Sequence, residues 1–104
     1  MGGVVLPSSD GATLNISIIG EFSLSVRLSF IDAYKHKKGQ YDKYVIDLSE
    51  CDQADNAAID MLLEMQDYLD ADKEALWIKD CEPGVKNIIE QADIQKMFTI
   101  DLLT

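Results

Sequence analysis

Asp55-Asn56-Ala57-Ala58-Ile59-Asp60-Met61-Leu62 joins two segments of different periodicity, and that change of period decides the fold. Upstream, Tyr44-Val45-Ile46-Asp47-Leu48 is a short β-rich apolar run without helical spacing, which predicts a central strand buried on both faces. Downstream, a step of about 100° per residue places Ala58, Leu62, Met65 and Leu69 on one stripe. Asp60, Glu64 and Asp67 fall near the opposite side, so the spacing predicts an amphipathic helix from about Asn56 to Leu69. Asp55 is its candidate N-cap, because a carboxylate there can accept the backbone N–H groups that a first helical turn leaves without partners. The acidic stripe is either a solvated face or a docking surface for cations.

Toward the N-terminus, Thr13 to Ile19 alternates polar and apolar side chains with period two, the pattern of a strand with one face on a core, and Gly20 is expected to end it. Val4-Val5-Leu6 precedes it across the turn-forming cluster Pro7-Ser8-Ser9-Asp10-Gly11, so residues 4–19 read as a hairpin. From Ser25 to Lys38, Val26, Phe30, Ile31, Ala33 and Tyr34 recur along one side of a helix, with Arg27, Asp32, Lys35 and Lys38 toward water and Gly39 as the stop signal. Toward the C-terminus, Ala75 to Lys79 predicts a strand whose Trp77 fills the core rather than serving as a ligand platform. Pro83-Gly84 opens a third helix carrying Val85, Ile88, Ile89 and Ala92. Asp93 to Phe98 reads as a short helix or turn feeding a last strand, Thr99 to Leu103. The order β-β-α-β-α-β-α-β predicts an α/β domain spanning 1–104, with a mixed sheet of about five strands, parallel crossovers and helices packed mainly on one face.

Composition narrows the function classes. The net charge of −10 is uneven: residues 1–45 carry five basic and four acidic side chains, residues 46–104 four and fifteen. Such a surface repels phosphate backbones and anionic headgroups, which disfavours nucleic-acid binding and electrostatic membrane docking. It favours a protein partner with a basic face, or serves solubility alone. No apolar run approaches the roughly 20 residues that cross a bilayer, and the start of the chain lacks the basic and apolar regions of a secretory signal, so a cytoplasmic location is expected. Cys51 and Cys81 have no nearby histidines or cysteines to complete a metal shell and read as reduced, buried thiols. The one histidine, His36, sits among Lys35, Lys37 and Lys38 as a surface residue. No base–nucleophile pair, metal set or glycine-rich phosphate cradle presents itself, so neither enzymatic turnover nor a cofactor is expected.

In this order of elements the chain resembles the STAS domain of bacterial anti-sigma factor antagonists, a fold also found at the cytoplasmic end of sulfate transporters. The resemblance rests on Ile19-Gly20-Glu21-Phe22, on Phe30-Ile31-Asp32-Ala33-Tyr34, on Tyr44 to Ser49 followed by the loop at Asp55, and on Cys81 to Glu90. In that family the loop reads roughly Asp-Ser-Ser/Ala-Gly/Ala-Leu-Gly-Met-Leu. Its first serine is phosphorylated by a partner that is both kinase and anti-sigma factor, and the unphosphorylated form binds that partner. By position Asp55 matches the family aspartate and Asn56 stands at the phosphoacceptor, while Asp60 replaces a small glycine.

Asn56 offers no hydroxyl nucleophile for phosphoryl transfer. A phosphoserine would bring about −1.5 to −2 charges to the helix N-terminus, whereas an amide is neutral and close in size to unmodified serine. The resemblance therefore implies a non-catalytic regulator binding a kinase, anti-sigma factor or related phosphatase regulator through Asp55, Asn56, Ala57, Ala58, Asp60 and Glu64, without a switch at Asn56. The alternatives are a diverged module whose partner has also changed, and an accessory subunit of a membrane transport assembly. The oligomeric state stays open.

Overall fold

The computed structural model describes residues 3–79, 83–91 and 93–101. Strands β1 (Val4–Asp10) and β2 (Thr13–Phe22) form an antiparallel hairpin closed by the two residues Gly11 and Ala12. Pro7, Ser8 and Ser9 lie within β1 rather than in the turn, paired with Ile16, Asn15 and Leu14. This is compatible with the missing N–H of Pro7, because β1 is an edge strand with one side unpaired. A 3₁₀ turn (Leu24–Val26) leads into α1 (Arg27–Tyr34), followed by β3 (Lys43–Asp47), β4 (Cys51–Ala54), α2 (Asn56–Leu69), β5 (Leu76–Lys79), α3 (Pro83–Gln91) and β6 (Thr99–Asp101). The sheet runs β1-β2-β3-β5-β6, every pair parallel except the hairpin, and β4 pairs with the far end of β2.

All three helices pack on one face. Leu14, Ile16 and Ile18 of β2, Tyr44 and Ile46 of β3, and Leu76 and Ile78 of β5 are buried together with Phe30 and Ala33 of α1, Leu62 and Met65 of α2, and Val85 and Ile89 of α3. Apolar area removed from water at roughly 25 cal/mol per Å² is what holds the helices to the sheet. The alternate residues Asn15, Ser17, Val45, Asp47 and Trp77 are only half-buried, since no helix covers them. β3 is therefore central but buried on one side only. Trp77 likewise lies outside the core, with its indole N–H donating to the Glu74 carbonyl at 2.7 Å and the Lys43 ammonium 4.3 Å from its ring centre.

Three expected boundaries move for physical reasons. Gly20 does not end β2: its φ of +85° admits a bulge, the strand continues to Phe22, and the Gly20 N–H donates to the Glu50 carbonyl. That continuation supplies the edge on which β4 forms, a sixth strand absent from the expected order. α1 stops at Tyr34, well before Gly39, because Lys35 turns to an extended ψ of 135° and His36 enters the left-handed region at φ 64°. The Lys37 ammonium then bonds the Ala33 carbonyl, and the His36 N–H donates to the Tyr68 hydroxyl at 2.9 Å. His36 is exposed and Cys51 buried, as expected, whereas Cys81, Ala92 and Leu102 to Thr104 lie outside the described residues. Among the described residues no helix is long and apolar enough to cross a membrane.

Candidate functional site

The mouth of α2 is built by β2 and β4. Their parallel pairing sets Phe22 beside Ala54, so the chain leaves both strands at one end of the sheet. The 3₁₀ turn at Leu24–Val26 and the first turn of α2 consequently lie side by side. Asp55 caps α2 from extended backbone (φ −125°, ψ −172°), its Oδ1 accepting the N–H groups of Ala57 at 3.0 Å and Ala58 at 3.4 Å. The helix therefore starts where its sequence predicts, and ends at Leu69 with Asp70 in a left-handed cap at φ 48°.

Asn56, the first helical residue, is exposed. Asp60 and Glu64 follow it at successive turns, both exposed and on the same side of α2, with Asp67 further along. Ala57 is half-buried. Ala58 is the exception among the expected contact residues: at 1% exposure it packs into the core, because the same spacing that aligns it with Leu62, Met65 and Leu69 turns it away from solvent. The surface around the loop is thus Asp55, Asn56, Ala57, Asp60 and Glu64.

Two residues, one on the 3₁₀ turn and one on α1, complete this surface. The Arg27 Nη2 donates to Glu64 Oε2 at 2.8 Å, tying α1 to α2, and Leu24 faces α2 across a groove of about 210 Å³ lined by Leu24, Arg27, Ala57, Asp60, Met61 and Glu64. Leu24 is 67% exposed and Leu28 74%. Sequence reading missed both leucines; the available signal was that neither lies on the Val26, Phe30, Ala33, Tyr34 stripe. The rings of Phe22, Phe30, Tyr34 and Tyr68 follow one another in tilted and edge-on contacts with centres 5.3 to 5.5 Å apart, and burial, aided by the Glu64 carboxylate, pushes the pKa of the Tyr34 hydroxyl up to about 12. Among the described residues no group of three or more His, Cys, Asp or Glu side chains is arranged to hold a metal ion.

Helices on one face of the sheet and a capped helix mouth at the end of β4 make a small α/β module. The chain belongs to the STAS domain family, whose description "Mlab, STAS domain" matches residues 5–104. Among solved structures it is similar to an anti-sigma factor antagonist from Mycobacterium paratuberculosis, with a TM-score of 0.81 and 16% identity over 96% of this chain and 86% of that one. It is also similar to the anti-sigma factor antagonist SpoIIAA in its unphosphorylated form, with a TM-score of 0.64 and 13% identity over 97% of this chain and 90% of that one. A third is an uncharacterised protein of the DUF3478 family from Shewanella loihica with a SpoIIAA-like fold, TM-score 0.60 and 13% identity, over 98% and 85% of the two chains. No curated protein matches by sequence.

Proposed function

We propose that this STAS protein is a non-catalytic cytoplasmic regulator of the anti-sigma factor antagonist kind. It binds an anti-sigma factor with serine kinase activity, or a related phosphatase regulator, through the loop at residues 55–60 and the outward face of α2. The reading is supported by its membership of the STAS family and by the fold it shares with two anti-sigma factor antagonists. The observation that carries it is the exposed amide of Asn56 at the first position of α2, beside the N–H groups capped by Asp55. That amide takes the place of the phosphoacceptor serine and cannot form a phosphate ester, so the docking surface is held in its uncharged, binding-competent form. Asp60 and Glu64 add charge that speeds encounter with a basic partner and rejects acidic ones.

Affinity purification of the tagged chain from its source lysate tests this. Recovery of a soluble sigma-regulatory ATPase or phosphatase, with Asn56→Asp weakening that complex at least tenfold, is the expected result. Recovery of membrane-embedded transport subunits in its place, or unchanged affinity after the swap, contradicts it.

A further inference from the structure

Exposed large apolar side chains are few in the described residues, and two of them lie close together in the chain: Leu24 in the 3₁₀ turn, lining the groove at the α2 mouth, and Leu28 in the first turn of α1. A single exposed leucine is ordinary, whereas Leu24 lines a groove and the exposed Leu28 follows it on the next element. The floor of that groove is Ala57 and the buried Met61, and its far rim is acidic, with Asp60 exposed and Glu64 shared with Arg27. Its volume of about 210 Å³ exceeds the roughly 150 Å³ that accommodates a benzene ring, so one large side chain fits.

We propose that this groove receives an amphipathic helix of the partner protein, with an aliphatic or aromatic side chain seated between Leu24 and Met61 and lysine or arginine residues against Asp60 and Glu64. The proposal deepens the regulator reading and rests on it for the partner being a protein at the mouth of α2. Charge complementarity selects the occupant. A cation beside the seated side chain meets Asp60 directly and competes with Arg27 for Glu64, whose side chain is 43% exposed. A second copy of this chain would bring the same two carboxylates face to face and is repelled. An apolar anchor flanked by charges of one sign is how helices are recognised in grooves generally.

The probe is a synthetic helical peptide with leucine at helical spacing and lysine elsewhere, titrated into the ¹⁵N-labelled protein beside a counterpart carrying glutamate in place of lysine. Amide shifts at residues 24–28 and 57–64 with the lysine peptide, and none with the glutamate peptide, are expected. Affinity should fall at least tenfold in Leu24→Ser/Leu28→Ser and in Asp60→Lys, and fall as salt rises. Both leucines are mostly exposed, so the double variant should melt at the wild-type temperature. Shifts centred on Val45 and Trp77 of the open sheet face, equal response to both peptides, or full affinity in the leucine variant overturn the proposal. With the natural partner, a complex that survives loss of the leucines but not Asn56→Asp overturns the groove and leaves the regulator reading standing. The reverse pattern overturns that reading alone.

Discussion

An amide at residue 56 differs from a hydroxyl in what it can become. Serine and asparagine both present a small polar group to a partner, but only serine can acquire a doubly charged ester. The cost of a charge at this position falls on the partner, because a negative group at the first turn of a helix is favoured by the exposed N–H groups there. Asn56→Asp is therefore expected to keep or slightly raise the melting temperature while weakening partner binding, and calorimetry run beside a thermal melt separates the two effects. At this scale the helix mouth was legible. Asp55 as cap follows from local chemistry, one carboxylate and two N–H groups, and needs no knowledge of the rest of the chain. The exposure of Leu24 and Leu28 was legible only in part: both lie off the buried stripe of α1, but whether an apolar side chain finds cover depends on which elements reach it.

Among the elements, α2 was readable from end to end since its pattern is long and sharp: the buried stripe Ala58, Leu62, Met65, Leu69 and the exposed Asp60, Glu64 and Asp67 all fall as their spacing requires. Its cap is the most economical point of attack. Asp55→Ala leaves the Ala57 and Ala58 N–H groups without the carboxylate, and an unfolding titration should show about 1 kcal/mol of lost stability. Full wild-type stability in that variant would remove the cap from the account. β4 was illegible for the opposite reason. Cys51-Asp52-Gln53-Ala54 is short and polar, with Cys51 as its one buried side chain, and it is a strand because the bulge at Gly20 prolongs β2 alongside it. α1 shows tertiary contacts overriding a local signal: Gly39 is a good stop, but the chain had already left the helix where Tyr68 accepts the His36 N–H.

For the molecule as a whole, covering one sheet face with three helices leaves Val45 and Trp77 half-buried and the acidic face of α2 outward. One-sided packing also concentrates aromatic rings between α1 and α2, and this has a consequence for pH. Tyr34 in the folded protein holds its proton up to about 12, against about 10 in an unfolded chain. Between those values the unfolded state has lost a proton that the native state retains, so stability must fall as pH rises from about 10 toward 12 and be fully present below 10. Tyr34→Phe should flatten that part of the stability–pH curve in urea titrations, and an unchanged slope would show that Tyr34 is not its source.

On the proposed function, phosphorylation of residue 56 cannot switch off partner binding at the mouth of α2. The direct measurement is to assemble the complex with the proposed partner kinase, add ATP and magnesium, and follow dissociation while mapping phosphate by mass spectrometry, for the wild type and for Asn56→Ser. The wild-type complex should persist with no phosphate on the 55–60 loop, and the serine variant should be phosphorylated at residue 56 and released. Release of the wild-type protein on addition of ATP would contradict the account.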